Sequence, residues 1–124
     1  MTVRIGFVSA LALGALALAG CTTNSNSADD AAGAVSVSSG SDTCELSTTE
    51  VPAGIVTFTV KNTGSEVTEF YLLASDGLRV VGEVENIGPG LTRDLVTNVS
   101  KGAYITACKP GMKGKGIRAN FSVT

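Results

Sequence analysis

Two cysteines, Cys44 and Cys108, are the residues best suited to chemistry in a chain that contains no histidine. Cys108 ends a strand-like run and opens the turn Cys108-Lys109-Pro110-Gly111-Met112. A thiol and a thioether this close are soft donors for a metal ion. A blue-copper electron-transfer centre, however, takes two imidazoles and one thiolate, and the absence of histidine excludes it. A metal here is held by thiolate, thioether and carboxylate, or else the two thiols close a disulfide. Hydrolytic catalysis has no imidazole base and no serine in a nucleophile elbow. Neither a phosphate-binding glycine loop nor a Cys-x-x-Cys motif occurs. The sequence reads as a non-enzyme.

The third cysteine belongs to a targeting segment. Arg4 supplies a positive n-region and Ile5 to Ala17 a short apolar stretch, followed by Leu18-Ala19-Gly20-Cys21. This pattern is a lipoprotein signal, cut before a cysteine that then carries lipid. Residues 1–20 are assigned to the signal, and residues 21–33 to a flexible linker with Cys21 lipidated. Thr22 to about Gly33 is small, polar and free of aromatics, too poor in apolar surface to order itself. The protein is therefore expected outside the cytoplasm, anchored to the cell membrane by lipid and facing the periplasm or the cell exterior. Lipidation of Cys21 leaves Cys44 and Cys108 as a pair in a compartment that permits disulfides. The net charge of −2 argues against a nucleic-acid partner.

The elements that position the pair are strands. Residues 34–124 form one small all-β domain. Val35 and Val37 alternate with serines in a short first strand. Ile55 to Lys61 alternates cleanly, with Val56, Phe58 and Val60 inward. Glu69 to Leu73, Thr92 to Val99, Ala103 to Cys108 and Ile117 to Thr124 follow, whereas Arg79 to Val84 reads as either a strand or an irregular segment. Short strands broken by Gly and Pro predict a Greek-key sandwich or barrel. Tyr104 precedes Cys108 by four residues, just after a glycine turn, the placement of a tyrosine that pins a Greek-key corner through its hydroxyl.

Several segments together resemble the cupredoxin-like N-terminal domain of EfeO-type periplasmic iron-uptake components. They are Cys44-Glu45-Leu46, Val51-Pro52-Ala53-Gly54, Thr57 to Asn62, Glu69-Phe70, Glu85-Asn86-Ile87-Gly88-Pro89-Gly90, and Gly102-Ala103-Tyr104 leading to Cys108. The similarity runs from about Val35 to Thr124. It implies a cupredoxin-like Greek-key fold and a copper or iron ion. The candidate ligands are Cys44, Glu69, Cys108 and Met112, with Glu69 where the first imidazole of an ordinary cupredoxin stands. It also implies partners in iron uptake: a permease, a peroxidase or a helical iron-binding component. Family members often carry a second Glu two residues after the first, where this chain has Tyr71. Larger members continue into a helical domain with a His-x-x-Glu motif, so an accessory domain or stand-alone relative is implied.

Alternatives remain open at each position. Cys44 and Cys108 are either a metal pair or a disulfide, which would staple a structural or interaction sandwich without metal. Glu69 is either a ligand or a charge on the sheet, and Met112 either a ligand or a cap on apolar surface. Lys109, Lys113, Lys115 and Arg118 crowd the segment after Cys108; they read as a soluble loop or as a dock for an acidic partner. Glu83 and Glu85 are read as a solvated acidic face.

Overall fold

A computed structural model of the chain describes residues 31–124. The signal, Cys21 and the linker up to residue 30 lie outside the described residues. Nine strands run in order: β1 (Ala31–Ser39), β2 (Cys44–Leu46), β3 (Glu50–Val51), β4 (Gly54–Asn62), β5 (Thr68–Ala74), β6 (Val80–Ile87), β7 (Thr92–Val99), β8 (Gly102–Cys108) and β9 (Ile117–Val123). They form two facing sheets, β2-β1-β4-β7 and β3-β9-β8-β5-β6. The pairs β1–β4 and β3–β9 are parallel and the remaining neighbours antiparallel. The all-β sandwich expected from the strand pattern is the fold observed.

β4 shows why the layers face as they do. Val56, Phe58 and Val60 are fully buried, while Thr59 and Lys61 on the opposite parity are exposed, the period-two pattern of a half-buried strand. Phe58 sits between the sheets with Phe70 of β5 and Phe121 of β9 at ring-centroid distances of 5.2 and 5.4 Å. Both open sides of the sandwich are covered. On one side the chain crosses from β2 in the first sheet to β3 in the second. On the other, β6 lies close against β7, and a Cβ on Gly82 would come within 3.3 Å of the Leu95 side chain.

Four strands differ from the expectation: the short β2 and β3 are not anticipated by the sequence pattern, and β1 and β6 depart from what it predicts for them. β1 begins at Ala31, inside the segment assigned to the linker, because the long β4 offers it a parallel partner as far as Ile55. Ala-Ala-Gly-Ala carries no alternation to announce it. β6 is a full strand, although it reads ambiguously in sequence. Register shifts interrupt its ladder with β5, and Asn86 takes a left-handed φ of 55°, so the apolar residues lose a simple period. The corner tyrosine is present: the Tyr104 hydroxyl donates to the Ser100 carbonyl at 2.7 Å.

Candidate functional site

Cys44 and Cys108 meet and form a disulfide, with Cα atoms 5.6 Å apart. Cys44 opens β2 at the edge of the first sheet, and Cys108 closes β8 inside the second. The bond therefore staples one sheet to the other. Cys108 is completely buried and Cys44 half-buried. A bond spanning 64 residues removes enough denatured-state entropy to stabilise the fold by about 4 kcal/mol.

The staple lies at the end of the sandwich where four loops gather, and Asn62 organises that end. Its buried side chain donates to the carbonyls of Glu66 at 2.7 Å and Ile87 at 2.8 Å, and accepts from the Gly64 N–H at 2.9 Å. Every polar atom of the amide is thus used to join three segments. Beside it the Ser39 and Thr68 hydroxyls share a buried 2.7 Å hydrogen bond across the sheets. Neither arrangement was identified as functional from sequence; the only signal was an Asn ending an alternating strand at an inward position.

Glu69 is brought to a different place. Phe70 of β5 stands opposite Cys108 of β8 in the ladder, and residues directly opposite share a face. Both belong to the core. Glu69, one residue away, therefore lies on the outer face of that sheet. There Tyr71 presents its hydroxyl to Glu69 Oε2 at 3.0 Å and to Glu85 Oε1 at 3.1 Å. One phenolic proton thus faces two carboxylates. Burial, then the hydrogen bond and charge of Glu69, then those of Glu85, push the Tyr71 pKa well above the ordinary tyrosine value. Lys109 Nζ stands 4.6 Å from the Tyr71 ring centroid and 3.9 Å from Glu69 Oε2. Glu69 is 6% exposed, so this carboxylate is a held group rather than a solvated edge charge. Met112 lies in the turn after Cys108, with a left-handed φ of 57° and 42% exposure.

The structure thus joins two of the four expected ligands to each other and places Glu69 across the sheet from them. In this oxidised form the donor set does not fit a copper or iron ion, since neither sulfur is a thiolate. Among the described residues no group of three His, Cys, Asp or Glu side chains gathers to hold a cation.

A family model described as cupredoxin-like domain matches residues 10–119. The chain belongs to the cupredoxin-like domain family. The iron uptake system component EfeO of Yersinia pseudotuberculosis serotype I is 38% identical over 65 residues, which are 52% of this chain and 17% of that protein. EfeO of Yersinia pestis matches with the same identity and coverage. The chain thus spans about a sixth of the length of the curated relatives it matches. Among solved structures, auracyanin from Roseiflexus castenholzii superposes with a TM-score of 0.59 at 16% identity, covering 75% of this chain and 97% of that one. Azurin from Methylomonas sp. strain J gives 0.57 at 21% identity, covering 73% and 97%. At these identities the structural likeness establishes the cupredoxin-like fold alone, in agreement with the two sheets and the tyrosine corner.

Proposed function

We propose that this protein is an exported, lipid-anchored accessory of an iron-uptake system and not an enzyme. The observation that carries this reading is the similarity to EfeO, an iron uptake system component, at 38% identity over 65 residues. The lipobox around Cys21 supports anchoring outside the cytoplasm. The partners of this role are the membrane, through the lipid, and the permease, peroxidase or helical iron-binding component of the same system.

Copper or iron is the proposed cofactor, held by Cys44 and Cys108 in their reduced form with Met112 as the further ligand; Glu69, on the other face of the sheet, is the expected ligand that this arrangement leaves out. Two thiolates and a thioether are soft donors and suit Cu(I) best. Closing the disulfide removes both thiolates, so metal binding and the staple are mutually exclusive. Cells lacking the gene are expected to accumulate less labelled iron under iron-limited growth, and Cys21→Ser to release the protein from the membrane fraction. Unchanged iron accumulation refutes the uptake role.

A second reading is favoured by the closed Cys44–Cys108 bond and the displaced Glu69. It is a metal-free interaction sandwich, permanently stapled. Protein alkylated at lysis and weighed before and after reduction distinguishes the two: a wholly oxidised population in iron-limited cells supports the permanent staple.

A further inference from the structure

The outer face of the second sheet carries a feature that neither the staple nor the iron reading uses. Tyr71 of β5, Ala107 of β8 and Arg118 of β9 fall in one register row. Leu73 lies on the same face, opposite Val80 of β6. The small Ala107 between larger neighbours leaves a concavity of about 200 Å³, to which Leu78, Lys109 and Lys115 also contribute. In a protein of net charge −2, the charged groups lining this hollow are all cationic: Lys109, Lys115 and Arg118.

Two of the three cations are held in place. Arg118 Nε donates to the Lys115 carbonyl and Nη1 to the Gly77 carbonyl, both at 2.9 Å. Gly77 makes this approach possible: its φ is +69°, and a Cβ there would meet Arg118 Nη1 at 2.9 Å. Asp76 closes the same turn by accepting from the N–H groups of Leu78 and Arg79 at 2.9 and 3.1 Å. A guanidinium has five N–H donors, so most of the Arg118 fork stays free for an anion after these two bonds. Lys109 is oriented by Glu69 and the Tyr71 ring. That ion pair is the one found among the described residues, which leaves Lys115 and Arg118 without a carboxylate partner there.

We infer that this hollow binds a small organic polycarboxylate. A fixed guanidinium flanked by ammonium groups recognises carboxylates in two-pronged geometry. The apolar floor of Leu73, Val80 and Ala107 accommodates a carbon skeleton, which inorganic phosphate lacks. Leu78, 81% exposed at the rim, adds apolar surface. Neither cysteine lines the hollow.

The test is a titration of the purified, metal-free, oxidised protein with citrate at low ionic strength, followed by amide chemical shifts, with acetate and inorganic phosphate as comparators. Saturable shifts centred on Gly77, Ala107 and Arg118 are expected, with citrate bound at least tenfold tighter than acetate or phosphate. Lys115→Gln, at an exposed side chain, is expected to weaken citrate at least threefold. Arg118→Lys, which keeps the charge and loses the fork, is expected to weaken it further. Shifts that do not saturate overturn the site, as do shifts spread over lysines elsewhere. Equal affinity for phosphate overturns the carboxylate assignment. An unchanged citrate affinity in Lys115→Gln overturns the role given to these cations, whether or not the Arg118 variant folds.

Discussion

On the inner face of β5, Thr68, Phe70 and Leu72 are completely buried, and Phe70 stands opposite the disulfide-bonded Cys108. On the outer face of the same strand, Glu69 and Tyr71 are tied to Lys109 and Glu85 by a hydrogen-bond and charge network. The inner face is fixed by packing and one covalent bond, interactions that cost several kcal/mol to remove. The outer face is fixed by polar contacts that range from part-buried to exposed, each contributing about 1 kcal/mol. The staple and the candidate anion-binding hollow are therefore separated by the thickness of one sheet, and substitutions on the two faces report on different properties.

The comparison breaks most readily at the staple. The double variant Cys44→Ser/Cys108→Ser is expected to lose about 4 kcal/mol relative to the oxidised protein, read as a lowered urea midpoint. The native chain in reductant should lose a similar amount. A loss below about 1 kcal/mol would move the staple to the cheap side of the comparison. Asn62→Ala follows, at about 3 kcal/mol, because two carbonyls and an N–H that Asn62 satisfies lose their partner. Tyr104→Phe removes the single corner bond to Ser100 and is expected to cost about 1 kcal/mol.

The smallest effect belongs to the outer face and sharpens the contrast through pH. Tyr71→Phe is expected to cost no more than about 1 kcal/mol near neutral pH, through the loss of its partly exposed hydrogen bonds to Glu69 and Glu85. Its folded pKa is raised, so the folded state keeps a proton that the unfolded state begins to lose near pH 10. The contribution of Tyr71 is thus fully present below that pH and lost as pH rises toward and through the folded pKa. The stability advantage of the native chain over Tyr71→Phe should therefore fall above about pH 10, as the native chain loses that contribution. A difference that stays constant as pH rises above about 10 would contradict the raised Tyr71 pKa.

Much of the inner face was legible in the sequence, because one strand suffices to read it. The alternation of Val56, Phe58 and Val60 and the spacing of Tyr104 from Cys108 each report a local parity. The outer site was not legible, because its neighbours are set by register between strands. Glu69 is seen to oppose Phe70 in parity, but only the Phe70–Cys108 pairing puts Glu69 across the sheet from the sulfurs. A one-residue slip would reverse that arrangement. Arg118 was visible only as one charge in a basic run. Its fixed geometry depends on the Gly77 carbonyl, 41 residues away in the chain. The nearness of Cys44 and Cys108 was open to two readings, and both involve the same two atoms.

The central claim, that the reduced cysteine pair holds a metal ion, is tested most directly by anaerobic titration of the fully reduced chain with Cu(I) and with Fe(II), read as metal retained per chain after dialysis. The account predicts one ion retained per chain, lost in Cys44→Ser/Cys108→Ser and released when the disulfide is reoxidised. Retention of neither metal, or retention that the double variant leaves intact, contradicts it.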